Sequence, residues 1–240
     1  MVKRLGEQSV GEVAGLVVQE LRPVQQAVTS VPDPAEDERR IAAAREKQLG
    51  LVGVWLGTVG VGSRLCELQI DPELVPAECA QWTELYERGA GMILAGPVGS
   101  GKTVAAVHCL REVYERGERH NPETRQWSWN PASSLFVKAR TLYRAVFDRD
   151  HALLDRARGC RVLVIDEWGG AYESAWPLAE MDGLIDDRWE ERRATIITTN
   201  MNPESDSGLK ATAPRAFDRL RDEPGPGVVV VNRESLRGES

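Results

Sequence analysis

The stretch GPVGSGKT is the part of the sequence with the clearest chemical meaning. It has the spacing G-x-x-x-x-G-K-[ST], it follows the apolar run GMILA, and it precedes a helical pattern. Glycines in such a loop allow backbone N–H groups to wrap phosphate oxygens, and the following helix offers its positive N-terminal end. The predicted nucleotide-binding residues are Gly96, Pro97, Val98, Gly99, Ser100, Gly101, Lys102 and Thr103.

Two carboxylates after a second apolar strand complete this prediction. In RVLVIDEW the strand ends in Asp166, and Glu167 follows at once. Lys102 should reach the β- and γ-phosphates of ATP, while Thr103 and Asp166 should hold Mg²⁺. Glu167 can polarise an attacking water. The pair therefore favours ATP hydrolysis over phosphoryl transfer to a metabolite.

A third strand candidate, ATIITTN, ends in Asn200. If this strand neighbours the one that carries Asp166, Asn200 lies beside the γ-phosphate and can orient the water that attacks it. The alternative is an ordinary turn residue, since Asn commonly ends strands.

A short arginine-rich segment, RAFDRLRD at 215–222, stands out in a chain of net charge -7. Pro214 marks a helix start, and Arg215 and Arg219 are four residues apart, so they share one helix face. One interpretation is a solvated surface helix whose aspartates offset the charge. The other is that at least one arginine completes the active site of another copy of the chain.

Apolar strands alternate with helical patterns from about residue 66 onwards. This alternation predicts an α/β fold with a parallel sheet covered on both faces. The strand candidates are 91–96, 134–139, 161–166, 194–200 and 227–232. The helical candidates between them are 103–116, 141–158 and 175–191.

Residues 1–65 have a different character and are predicted to form a small helical module and linker. The segment 33–50 has helix signals at both ends, with Asp33 as N-cap, Pro34 in the first turn and Gly50 at the end. This helix is either a solvated linker or a partner-binding helix. The predicted domains are thus 1–65 and 66–240.

Composition limits the class of protein. The chain is 42% hydrophobic and 28% charged, and its longest weakly polar stretch, 49–62, is short and interrupted by glycine. We therefore expect a cytoplasmic protein without a membrane segment. The acidic balance argues against a protein that coats nucleic acid with its whole surface, so any DNA contact should be local.

Several motifs taken together make the sequence resemble the AAA+ ATPases, and in particular the bacterial helicase loaders of the DnaC type and the transposition helpers of the IstB type. The matching stretches are GPVGSGKT, VLVIDEW, IDDRW, IITTNMN, RAFDRLRD and VVVVNRESLRGES. The resemblance implies an AAA+ P-loop NTPase fold without a C-terminal lid domain. It also implies that Arg219 is the arginine finger and that Arg215 is the first arginine of the same element.

This resemblance implies an ATP-dependent loader that uses ATP and Mg²⁺, self-associates, grips the replicative helicase through its N-terminal module and surrounds single-stranded DNA. The runner-up is an IstB-like helper that binds DNA and recruits a transposase. Two other classes remain open, a small-molecule kinase and a nucleotide-gated adaptor with negligible turnover. The candidate DNA contacts are Arg125, Trp127, Trp129, Lys138, Arg140 and Arg144, with tryptophan packing or a solvated helix face as the alternatives.

Overall fold

The computed structural model describes residues 34–121, 124, 126–169 and 175–231. The predicted N-cap Asp33 and the DNA candidate Arg125 lie outside the described residues. Within them, no helix is both long enough and apolar enough to cross a bilayer.

A five-stranded parallel sheet forms the centre of the molecule, as predicted. The strands are β1 Gly91–Ala95, β4 Ser134–Lys138, β5 Val162–Trp168, β6 Ala194–Thr199 and β7 Gly227–Val230. Their order is β4-β5-β6-β1-β7, and each neighbouring pair is parallel. The strand β6 therefore lies between the strand that precedes GPVGSGKT and the strand that carries Asp166.

Helices cover both faces of this sheet. The helices of the described residues are α1 Pro34–Leu49, α2 Val52–Thr58, α3 Ser63–Cys66, α4 Ala77–Leu85, α5 Lys102–Glu115, α6 Ala139–Asp148, α7 His151–Gly159, α8 Ala175–Glu190, α9 Leu209–Thr212 and α10 Pro214–Arg221, and the two faces of the sheet are covered by those named below with the two cores. Short 3₁₀ turns occupy Pro72–Leu74 and Tyr86–Arg88. The predicted helical segment 141–158 is two helices, because Arg149 has a φ of 57° and Asp150 caps the second helix through the N–H of Leu153.

Successive strand residues point to opposite faces, so the sheet has two apolar cores. Met92 and Leu94 belong to the core under α2, α4 and α5, whereas Ile93 belongs to the core under α6, α7, α8 and α10. Both cores exclude water almost completely. This burial on both faces is the reason that the strands read as continuous apolar runs.

The described residues from Ile41 onwards form one compact unit with the sheet. Leu56, Val59 and Val61 are buried in the first core, and the carbonyl of Val59 accepts from the N–H of Phe136 at 2.7 Å. This contact continues the edge of the sheet beyond β4. The partner-binding role assigned to residues 1–65 stays a prediction.

A β-hairpin that the sequence analysis did not predict precedes β4. It pairs β2 Glu118–Asn121 with β3 Gln126–Trp129 in antiparallel register. The ring of Trp129 lies 5.5 Å from that of Tyr114 and 6.0 Å from that of Trp127, between ring centroids. The indole Nε1 of Trp127 also donates to Glu118 at 2.9 Å. These contacts favour the packing interpretation of both tryptophans over base stacking.

Candidate nucleotide-binding site

The loop GPVGSGKT connects β1 to α5 at the carboxyl edge of the sheet. Gly99 and Gly101 have φ angles of 85° and 95°, a region that residues with a side chain rarely adopt. The N–H of Gly96 donates to the carbonyl of Thr199 at 3.2 Å, which ties the loop to β6. The helix α5 begins at Lys102, so its first N–H groups are available to an anion. The side chains of Pro97 and Val98 are exposed at the tip of the loop.

Lys102 is folded into its own loop and is only 6% exposed. Its Nζ donates to the carbonyls of Gly96 and Pro97 at 2.8 and 2.6 Å, and it lies 3.4 Å from the hydroxyl of Ser100. Burial lowers the pKa of Lys102, and the nearby Asp166 carboxylate partly opposes this effect. A bound phosphate would replace these carbonyls as the acceptor for the ammonium group.

Asp166 is the point where three elements of the site meet. Its Oδ1 accepts from the hydroxyl of Thr103 on α5 at 2.8 Å and from the hydroxyl of Thr198 on β6 at 2.7 Å. The side chain is buried, so both bonds form in a low-dielectric environment. The contact between Thr103 and Asp166 joins the two residues predicted to hold Mg²⁺. A hydroxyl and a carboxylate are oxygen ligands of the kind that Mg²⁺ prefers, so the donor set fits this ion.

Glu167 has an unusual backbone conformation for a residue with a side chain, with a φ of 61°. Between the pairs Ile165↔Ile197 and Trp168↔Thr199, two residues of β5 oppose the single residue Thr198 of β6. This is a β-bulge, which breaks the regular alternation of side chains along the strand. The N–H of Glu167 donates to the hydroxyl of Thr198 at 2.9 Å, which fixes the bulge.

The carboxylate of Glu167 is exposed and paired with Lys138 at the end of β4. The distance from Lys138 Nζ to Glu167 Oε2 is 2.9 Å. Lys138 was predicted as a DNA contact, and the structure shows it bound to the predicted catalytic carboxylate. This ion pair occupies one of the two oxygens that could polarise a water.

Asn200 is exposed at the bend that follows β6. The strand arrangement on which its prediction depends is present, because β6 pairs with both β1 and β5. The role of Asn200 in orienting water stays a prediction.

The arginine-rich segment forms the helix α10, with Arg215 and Arg219 on the same face, as predicted. The Nε of Arg219 lies 2.8 Å from Asp186 Oδ1 on α8, and its Cζ lies 3.9 Å above the ring centroid of Trp189. The Nη1 of Arg215 lies 4.0 Å from Asp186 Oδ2. Both arginines therefore converge on one carboxylate.

Arg219 lies at the opposite end of β1 from the loop GPVGSGKT, the predicted phosphate loop. A Cβ atom built on Gly91, the first residue of β1, would lie 2.7 Å from the Cα of Leu220. From there the strand runs five residues to the loop, roughly 16 Å at about 3.3 Å per residue. Since an arginine side chain is much shorter than this, the arrangement is compatible with the trans interpretation and not with a contact to the same copy's phosphate loop.

Sequence reasoning missed Thr198, the pairing of Lys138 with Glu167, and Asp186. A hydroxyl residue in the strand next to the acidic strand is a weak signal for a contact to Asp166, and the segment IITTN contains two candidates. Asp186 lies within the quoted motif IDDRW, but its partner on α10 is about thirty residues away in sequence.

Comparison with known proteins supports the fold. The chain is similar to the crystal structure of DnaI, with a TM-score of 0.50 and 19% identity over 72% of this chain and 89% of that one. It is also similar to a DNA replication initiation factor, with a TM-score of 0.50 and 14% identity over 69% of this chain and 48% of that one. A DnaC helicase loader aligns with a TM-score of 0.44 and 22% identity over 65% of this chain and 86% of that one. No protein-family model and no curated protein matches the sequence.

The chain therefore has the AAA+ P-loop NTPase fold, as the sequence motifs predicted. The similarity to DnaI confirms the predicted resemblance at the level of the fold.

Proposed function

We propose that this protein is a cytoplasmic ATPase that loads the replicative DNA helicase onto single-stranded DNA. The observation that carries the proposal is the hydrogen-bonded group of Thr103, Asp166 and Thr198 beside the phosphate loop, with Glu167 next to it in the chain. The fold similarity to a DNA replication initiation factor supports a role in replication.

Each residue of the site has a separate task in this proposal. The backbone N–H groups of the loop and Lys102 bind the phosphates of ATP, which is the substrate. Thr103 and Asp166 would hold Mg²⁺, which neutralises charge on the phosphates when it is bound. Glu167 accepts a proton from the attacking water and Asn200 orients that water. The ion pair with Lys138 leaves one oxygen of Glu167 for this step but holds the carboxylate at the end of β4, and so it opposes hydrolysis.

Hydrolysis in this proposal requires a second copy of the chain. Arg219, and with it Arg215, contacts ATP bound by the next subunit and stabilises the charge that develops on the γ-phosphate. Since Arg219 lies at the far end of β1 from its own phosphate loop, self-association completes the site. Binding of ATP thus favours assembly, and hydrolysis favours release.

The proposed contact with single-stranded DNA is on α6. Arg140, Arg144 and Phe147 are exposed and follow the helical spacing i, i+4, i+7, so they form one stripe. Arginines attract the phosphate backbone, and an exposed aromatic ring offers a base a stacking surface. This stripe begins two residues after Lys138, and so it lies near the ion pair that restrains Glu167.

The test uses a variant that binds ATP without turning it over. Glu167→Gln, loaded with ATP and Mg²⁺, should capture a purified hexameric replicative helicase from its source organism in size-exclusion chromatography. Lys102→Ala should not capture it, because it lacks the phosphate contact. Capture of the cognate transposase in place of the helicase would favour the transposition-helper alternative, and binding of the helicase that is equal with and without ATP would contradict the loader proposal.

A further inference from the structure

The helix α8 carries three side chains that contact α10 at the spacing i, i+4, i+7, namely Asp182, Asp186 and Trp189. We propose that these residues form a positioning platform for Arg219, which presents the ends of its guanidinium to the γ-phosphate of ATP bound by a second copy of the chain. The inference rests on the proposed ATPase function and adds to it the residues that orient the arginine.

Asp182 fixes the start of α10. Its Oδ1 accepts from the backbone N–H of Ala216 at 2.7 Å, and the side chain is buried. A carboxylate that binds a free N–H in the first turn of a helix stabilises that helix end. The position of α10 relative to α8 is thereby set one turn before Arg219.

Asp186 and Trp189 fix the guanidinium itself. Asp186 binds Nε, and the ring of Trp189 covers one face of the planar group. Among the described contacts of Arg219, the hydrogen bond and ion pair involve Nε alone. The two Nη atoms, which form the fork suited to phosphate oxygens, are therefore not used within the described part of this chain.

The partial exposure of Arg219 agrees with this role. Its side chain is 33% exposed, so an anion on a neighbouring copy can approach it. Its bond to Asp186 raises its pKa, which keeps the group charged. A single, partly exposed ion pair of this kind contributes little to stability, and so its defined geometry is more useful for orientation than for folding.

The platform is itself anchored at its C-terminal end. Arg188, next to Trp189, is buried and donates to the carbonyls of Ala157, Cys160 and Ala194 at 2.7, 2.8 and 2.5 Å. These bonds tie the end of α8 to the end of α7 and the start of β6. A movement of the end of α8 away from α10 would require these bonds to break.

The first test compares variants of the platform. Asp186→Ala should lower the kcat for ATP hydrolysis by about 10- to 100-fold, because a misplacement of about 1 Å has this effect on a reacting group. ATP affinity, measured with Glu167→Gln in the same chain, should change by less than about twofold, since the phosphate loop is intact. Asp186→Asn keeps an oxygen acceptor for Nε and should recover most of the rate.

The chain offers matched controls for Asp186 and Trp189. Asp187, adjacent in α8, forms an exposed ion pair with Arg158 at 3.5 Å, and Asp187→Ala should leave the kcat unchanged. Trp189→Ala should lower the kcat as Asp186→Ala does, whereas Trp189→Phe keeps an aromatic face and should lower it less. If Asp186→Ala fails to fold, the two Trp189 variants decide the question.

The second test separates the two halves of each shared site. Asp186→Ala mixed with Lys102→Ala should regain activity, because the first supplies an intact phosphate loop and the second an oriented Arg219. Asp186→Ala mixed with Arg219→Ala should not, since neither supplies an oriented arginine. A purely structural role for Asp186 would not produce this difference.

The outcomes distinguish this inference from the proposed function. If assembled Arg219→Ala is fully active, Arg219 does not act on ATP bound by a second copy. The proposed trans role of Arg219 and the proposed platform would then both be wrong. An inactive Arg219→Ala together with a fully active Asp186→Ala and Trp189→Ala would refute the platform alone. Loss of ATP affinity in Asp186→Ala would also refute it, because the residue would then act on the wrong half of the site.

Discussion

The substitution Thr198→Val tests the bulge that sets Asp166 and Glu167. Thr198 is 1% exposed and its hydroxyl makes two hydrogen bonds, to Asp166 at 2.7 Å and from the N–H of Glu167 at 2.9 Å. A hydrogen bond to a charged group contributes about 1.5–3 kcal/mol and an ordinary one about 0.5–1.5 kcal/mol. Valine has the same shape without the hydroxyl, so we expect a loss of about 2–4 kcal/mol in the free energy of unfolding.

This loss should be measurable in two ways. For a chain of this length, a loss of 1 kcal/mol lowers the melting temperature by about 2–4 °C, so the melting temperature should fall by roughly 4–16 °C. The kcat for ATP should fall by about tenfold or more, because Asp166 and Glu167 lose their common support. Both quantities can be followed by thermal unfolding and by phosphate release.

Thr199→Val is the matched control for this prediction. Thr199 is also buried in β6, but its hydroxyl makes a single hydrogen bond within the described residues, which it accepts from the N–H of Met201 at 3.1 Å. The control should lose about 1 kcal/mol and keep a near-normal kcat. If the two variants have the same melting temperature and the same kcat, the hydroxyl of Thr198 does not organise the site.

Three further predictions concern other contacts. Lys138→Ala should raise the rate of phosphate release by up to about fivefold, since an exposed ion pair contributes about 0–1 kcal/mol. The control Arg140→Ala should leave this rate unchanged. A rate for Lys138→Ala below that of the wild type would contradict the restraint on Glu167. Arg188→Met should lower the free energy of unfolding, measured with urea, by more than about 3 kcal/mol, because it leaves buried carbonyls without a donor; wild-type stability would refute this. Burial lowers the pKa of Arg188 to about 10. Burial also raises the pKa of Asp182, so this residue keeps its proton to a higher pH in the folded protein than in the unfolded chain. Protonated Asp182 therefore contributes stability that is fully present below the unfolded pKa of 3.8 and is lost as the pH rises through the folded pKa. The stability of Asp182→Asn relative to wild type should therefore increase with pH in that window, and an unchanged difference in urea unfolding would contradict the assignment.

The sequence was sufficient to predict the sheet and the phosphate loop. Both depend on local patterns, namely continuous apolar strands and the fixed spacing of Gly96, Gly101 and Lys102. The helical pattern of 141–158 did not locate the break at Arg149 between α6 and α7. The hairpin of β2 and β3 was missed, although QWSW alternates in polarity, because its partner strand ERHN has no apolar face.

The contacts that orient the site could not be predicted in the same way. The bulge opposite Thr198 depends on the register between two strands about thirty residues apart. The contact between Arg219 and Asp186 depends on the packing of α8 against α10, and the pairing of Lys138 with Glu167 depends on the neighbouring positions of β4 and β5. Such long-range contacts follow from tertiary packing, which a single sequence does not specify through local patterns.

The most direct test of a site shared between subunits is the ATPase rate of two inactive variants mixed in equal amounts. Lys102→Ala has an intact Arg219 and no phosphate contact, whereas Arg219→Ala has the reverse. Each alone should be inactive, and the mixture should recover about a quarter of the wild-type rate if copies assemble at random through a head-to-tail interface. A mixture that stays inactive, or an Arg219→Ala protein that hydrolyses ATP alone at the wild-type rate, would contradict the shared site.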